Sequence, residues 1–293
     1  FFHLKISAPK VKLHLKLPCV SLILSPGDET KLFTLHFDDI ETKLALHRFA
    51  WITDPGEEIS AEWVAAIWQA WEKKYSTVDN SWVWHPYTAA ERAINILTFI
   101  KRYGLPGSKE RTLSILTTHA FAIANKLEYF GDHHTSNHLA NNGRGLYLLG
   151  LTLGLKKTAN LGGRILIEEA RRIFHSSGLL REGSSHYHIL LTRNFEEVAK
   201  AAEKYNRKEA PSLRSIANKT RAAAELLVLP GGLPLIGDIS PDLSPTYLLK
   251  KLELVGTNRR PSTRELRPFK GAGWYRKDIG PFSALWHAAP QGW

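Results

Sequence analysis

Apolar and polar positions change their spacing twice along this 293-residue chain. Near the start they alternate. Val11-Lys12-Leu13-His14-Leu15-Lys16-Leu17 has a two-residue period, which predicts strand, and Pro26-Gly27-Asp28 predicts a turn. From Ser60 onward Ala61, Val64, Ala65, Ile67, Trp68 and Trp71 recur at helical spacing, with Ser60 as the N-cap. The stretch His85-Pro86-Tyr87-Thr88-Ala89-Ala90-Glu91 reads as another helix start, Thr88 and Glu91 standing at capping-box spacing. Further helices are predicted over 111–128, 136–155, 161–176, 187–205 and 212–229. Gly104-Leu105-Pro106-Gly107, Gly131-Asp132, Gly178 and Pro230-Gly231-Gly232 break them apart. The segments keep no strict repeat period, so the pattern predicts hairpin-like helix pairs and not a solenoid.

After Pro230 the texture shifts again. Gly, Pro, Asp and Ser crowd 231–245, and 259–268 reads as a loop. Gly273-Trp274-Tyr275-Arg276 and Phe282-Ser283-Ala284-Leu285-Trp286-His287 read as two strands. The expected organisation is an N-terminal extension of strand-like and irregular segments (1–58), a helical domain (59–255), and a linker with first strands (256–293). A C-terminal β domain is expected to continue from those strands.

Composition narrows the partners. Lys and Arg number 39 against 28 Asp and Glu, a formal charge of +11, which draws polyanions: nucleic acid, an anionic membrane or an acidic polysaccharide. The basic residues are scattered, Arg171-Arg172 and Arg259-Arg260 being only pairs, and neither zinc-finger spacing nor an RNA-binding signature occurs. Nucleic acid is therefore not the expected partner. No run reaches the roughly 18 apolar residues of a membrane span. A single cysteine, Cys19, excludes an internal disulfide framework and a cysteine metal cluster, and it reads as a small buried apolar residue and not a nucleophile. The chain contains no methionine.

Two segments gather groups that could carry chemistry: Ser136-Asn137-His138-Leu139-Ala140-Asn141-Asn142-Gly143 and Glu182-Gly183-Ser184-Ser185-His186-Tyr187-His188. Asn137 and His138 would occupy the first turn of a helix, where unpaired N–H groups and the dipole favour an anion. An amide there can donate to a carboxylate, and a neighbouring imidazole can donate or take a proton. The plainer reading makes Asn137 a helix cap and His138 a surface residue. His133-His134 invite a metal reading with His138, against which adjacent histidines point apart and no His-Glu-x-x-His helix is present. Tyr187 opens a helix between two imidazoles and after Arg181. Positive charge from those neighbours would make its phenol a better base. The alternative is a packed tyrosine with its hydroxyl tied to a neighbour. Asn142 lies about one turn beyond Asn137 as polar lining or packing. Trp82 and Trp84 sit on a loop and are candidates to stack on sugar rings, while Trp63, Trp68 and Trp71 belong to a core by their spacing.

The pattern resembles the heparinase II/III-type polysaccharide lyases and the alginate lyases related to them. The resemblance rests on Trp84-His85-Pro86-Tyr87-Thr88-Ala89-Ala90-Glu91-Arg92, Ser136-Asn137-His138-Leu139 with Asn142, Gly145-Leu146 and Gly150, Glu182-Gly183-Ser184-Ser185-His186-Tyr187-His188, Leu235-Ile236-Gly237-Asp238, and Gly273-Trp274-Tyr275-Arg276. What it implies is a mainly α chain, an incomplete α/α toroid of paired antiparallel helices, followed by an antiparallel β-sandwich of which only the start is present. The implied activity is β-elimination at a uronic acid in an acidic polysaccharide. Asn137 would neutralise the carboxylate with help from His138, and Tyr187 would act as general base, general acid or both. His188, His134, Asn142, Arg92 and Trp84 are the expected substrate contacts. The resemblance implies no cofactor or metal within these residues, the metal of some members belonging to the β domain, and a periplasmic or secreted bacterial enzyme. Hydrolysis would need two carboxylic acids flanking the bond, and Glu182 is the one obvious carboxylate in the two segments, which favours elimination. The rival expectation is a non-catalytic acidic-glycan-binding or structural member of the same fold.

Overall fold

The computed structural model describes residues 7–53, 59–131, 137–241, 243–256 and 261–288. Among them the chain is mainly helical. Its elements run β1 (Leu13–Leu17), β2 (Val20–Leu24), α1 (Ile40–Arg48), α2 (Ala61–Tyr75), α3 (Pro86–Tyr103), α4 (Lys109–Asn125), α5 (Asn137–Leu153), α6 (Lys156–Ile173), α7 (Ser185–Lys204), α8 (Ala210–Leu227), α9 (Pro245–Lys251), α10 (Thr263–Gly271), β3 (Trp274–Ile279) and β4 (Phe282–His287). The two strand pairs are separate antiparallel hairpins, β1 with β2 and β3 with β4. The chain divides into two compact units, Phe1–Glu128 with Asn141–Gly162, and Tyr129–Ala140 with Gly163–Trp293.

The first unit is built on aromatic packing. Leu13, Leu15 and Leu17 turn one face of β1 inward, as their alternation requires, and Trp63 on α2 donates its indole N–H to the Val11 carbonyl at 2.9 Å. Ser60 caps α2 as its sequence predicts, accepting from the Trp63 backbone N–H. Trp68 and Trp71, one turn apart on α2, stack with centroids 5.4 Å apart. The start of α3 differs from the expected capping box. Pro86 at the first turn sets the helix going from His85, three residues early, so Thr88 is buried inside the helix and Glu91 instead pairs with Arg144 at 2.9 Å. Where α5 and α6 run side by side, Gly150 lies so close to the Ala159 backbone that any added Cβ would collide with it.

The second unit centres on α7 and α8. Ile189 and Leu190 of α7 meet Ala224 and Val228 beside α9, while Leu179, Ala223 and Leu227 meet Phe269 and Trp274 of the α10–β3 region. The β3–β4 hairpin is fastened there by Arg276. Its guanidinium donates to the Leu226 and Val228 carbonyls at 3.0 and 2.9 Å, filling acceptors that the end of α8 leaves open, and it pairs with Asp278. Three expectations fail in detail, the first being that Cys19, read as buried, is exposed. The stretch 259–268 is not all loop, since Ser262 and Glu265 form a capping box that starts α10. Likewise the supposedly irregular N-terminal stretch contains α1, capped by Asp39.

Candidate functional site

Asn137, His138, Glu182, Tyr187 and Asp238 all fall in the second unit. Asn137 and His138 open α5. The amide of Asn137 donates to Glu182 Oε2 at 3.5 Å, a long contact, and His138 is close enough to act on that carboxyl electrostatically. Burial pushes the Glu182 carboxyl up from the usual glutamate range, and Asp238 adds to the shift, whereas the Asn137 hydrogen bond and His138 oppose it.

The turn that follows Glu182 is held from several directions. Gly183 has φ +75°, the left-handed region, and a Cβ there would lie 2.6 Å from Cε1 of His287, so the β4 imidazole rests directly on this backbone. Ser184 caps α7 by accepting from the Tyr187 N–H at 3.0 Å and donates its own hydroxyl proton to the Asp238 carbonyl at 2.6 Å. Ser185 donates to the Pro234 carbonyl and accepts from the Ile236 N–H, while its own N–H reaches the Ile236 carbonyl. The segment Leu235-Ile236-Gly237-Asp238 is thus the clamp that fixes the approach to Tyr187. Tyr187 is half-buried in the first turn of α7, its side chain against the apolar cluster beside α9.

The flanking imidazoles do not play the part expected of them. His188 Nδ1 accepts from the Leu180 N–H at 3.2 Å, and Nε2 faces the Thr220 carbonyl at 3.0 Å, an arrangement that fits only the neutral ring. Burial lowers its pKa to about 4. His186 repeats the pattern, Nδ1 accepting from the Ser240 N–H and Nε2 meeting the Leu243 carbonyl, and burial lowers it too. Neither ring supplies positive charge to Tyr187, and His188, 1% exposed, is a structural group and not a substrate contact.

These neutral rings have a measurable consequence. The unfolded chain binds a proton at His188 below about pH 6.5, while the folded chain resists until about pH 4. His47, lowered to about 3 chiefly by burial, behaves alike. Stability is therefore complete above pH 7 and is expected to fall through the window from 6.5 towards 4, by roughly 1.4 kcal/mol per pH unit for each ring. Urea unfolding at pH 7.5 and 5.5 checks this, and His188→Gln should flatten the slope.

Three further expected substrate contacts belong to the first unit and are buried. Arg92 is 0% exposed, its guanidinium carbon 4.1 Å from the Trp71 ring centre and 5.1 Å from that of Trp84, and Trp84 itself is 1% exposed. Asn142, also 0% exposed, accepts from the Glu128 N–H and donates to the Glu128 carboxylate at 2.9 Å. All three are spent on internal partners, so the direct-contact role does not hold for them. Trp82, beside Trp84 in sequence, is the exposed indole, paired with His85 at 5.0 Å. His134 lies outside the described residues. Among the described residues no group of three or more His, Cys, Asp or Glu side chains is arranged to hold a metal ion.

The comparison with known families settles the lineage. The model for "Heparinase II/III N-terminus" matches residues 29–228. The chain belongs to the heparinase II/III family. Within solved structures, a heparinase III gene product matches with a TM-score of 0.54 at 18% identity, over 88% of this chain and 49% of that one. Heparan sulfate lyase HepC from Pedobacter heparinus matches with a TM-score of 0.50 at 17% identity, over 66% of this chain and 33% of that one. The chain thus spans a third to a half of these heparinase-family structures, and at such identities the likeness is one of fold. No curated protein matches it. As for membranes, no described helix is long and apolar enough to cross one.

Proposed function

We propose that this member of the heparinase II/III family acts, in its intact form, as a polysaccharide lyase that cleaves a uronic-acid polymer by β-elimination on an incomplete α/α toroid. The observation that carries this reading is the Asn137 amide donating to Glu182, with His138 near enough to act on the same carboxyl, which sets an amide and an imidazole beside the clamped turn leading into Tyr187.

The chemistry asks for those groups. The C5 proton of a uronate is weakly acidic, and removing it spreads charge into the carboxylate. Asn137 and His138, donating to that carboxylate, stabilise the growing charge more than the ground state. Tyr187, acting as the phenolate, takes the C5 proton and becomes the phenol. The electrons of the C5–H bond form the C4–C5 double bond, the C4–O bond breaks, and the departing oxygen takes up a proton from the same phenol. The chain's +11 charge gathers the anionic polymer. A periplasmic or external location is proposed with it.

The test is to mix the intact protein with heparan sulfate, alginate and other uronate polymers and follow ultraviolet absorbance of the unsaturated product. Rising absorbance on at least one polymer is expected. Flat traces on all of them, alongside measurable polymer binding, would instead favour the non-catalytic glycan-binding reading.

A further inference from the structure

We propose that Glu182 is a positioning residue that acts through Asn137, selecting the amide orientation in which the NH2 group, and not the oxygen, meets the carboxylate of the sugar. This deepens the reading above and rests on it.

A free asparagine amide offers a donor and an acceptor of nearly equal shape, and only its partners decide which faces a ligand. Asn137 is half-buried at the opening of α5, and its side-chain partner among the described residues is an acceptor, Glu182 Oε2. One N–H directed at that oxygen fixes the nitrogen side of the amide and leaves a second N–H to donate. An amide turned the other way would set two oxygens against each other at Glu182 and present its own oxygen to an anionic sugar. The selection works only if Glu182 is held in place, and the backbone that follows it is closely packed. Gly183 is pinned under the His287 ring, Ser184 is bonded to the Asp238 carbonyl, and Gly237 packs so near that a Cβ on it would lie 3.0 Å from the Gly183 oxygen.

The charges around Glu182 fit a supporting role better than a direct one. Asp238 and burial disfavour its ionised form, while His138 and the Asn137 amide favour it. A carboxylate so placed repels a uronate if it touches it, yet strengthens the donors of Asn137 and His138 from behind.

A double-mutant cycle in the intact protein separates these roles. Glu182→Gln, Asn137→Ala and the double variant are compared for kcat and KM on the polymer the wild type cleaves, with melting temperature as the check on folding. Glu182→Gln is expected to lower kcat about tenfold with a smaller change in KM, since the carboxylate donor matters most as charge develops. In the Asn137→Ala background the same change should cost less than a further twofold. Wild-type kcat in Glu182→Gln, or full additivity in the double variant, overturns the inference. Should the wild type cleave no polymer, the proposed function fails by that result. The cycle is then read as calorimetric binding of a heparan sulfate tetrasaccharide, where additive losses would overturn the positioning role independently.

Discussion

Tyr187→Phe is expected to lower kcat for β-elimination by about a thousandfold and to leave KM within a few-fold of the wild type. The change removes one oxygen and keeps the ring that packs against the cluster beside α9. It also leaves the cap intact, because Ser184 holds the backbone N–H of residue 187 and not its side chain. A thousandfold corresponds to about 4 kcal/mol of barrier, within the range general acid–base groups supply. The size follows from the double duty proposed for Tyr187, which would remove one proton and return one. The nearest imidazoles in sequence do not replace it, since His186 and His188 have both ring nitrogens committed to the backbone. Steady-state rates on a cleaved polymer, with melting curves for both proteins, check this. Activity within threefold of wild type would remove Tyr187 from the reaction.

How much of this could be read from residues alone depends on how local the deciding contact is. Helices with a regular apolar period were legible because burial of one face enforces that period: α2 begins where Ser60 predicts, and β3 and β4 overlap the two segments read as strands. Short elements with few apolar positions were not. α10 carries a complete Ser262–Glu265 box, a signal overlooked because the surrounding arginines and prolines look like loop. Conversely, Thr88 and Glu91 imitate a box, and only the proline two residues ahead of Thr88 reveals an earlier start. At the site the limit is long range. Asn137 and Glu182 lie 45 positions apart, and His186 meets carbonyl and amide groups more than 50 residues away. Residue type said that these imidazoles can move protons. Their partners, which no spacing encodes, commit them to staying neutral.

Arg92 shows the same limit with a larger energetic consequence, and Arg92→Ala is expected to destabilise the chain by about 3–5 kcal/mol. A guanidinium within a motif next to a candidate sugar-binding loop suggests a ligand for an anion. The structure instead seals it, with Nε donating to His119 Nε2 at 2.7 Å and Nη1 donating to the His47 and Val83 carbonyls at 3.0 and 2.9 Å. The guanidinium carbon, Cζ, lies 4.1 Å from the centre of the Trp71 ring. Carbonyl dipoles and indole faces take the place of a counter-ion. The positive charge in turn helps burial to keep His119 and His47 neutral, so the cation and the uncharged rings require one another. Truncation to Ala removes three hydrogen bonds, strands two carbonyls and leaves a cavity beside two tryptophans. Arg92→Lys should not rescue it fully, because a point charge cannot reach three acceptors in one plane, and a loss of about 2 kcal/mol is expected. Urea unfolding of both variants is the measurement. Stability within 1 kcal/mol of wild type in Arg92→Ala would mean that this guanidinium is not the keystone of the first unit.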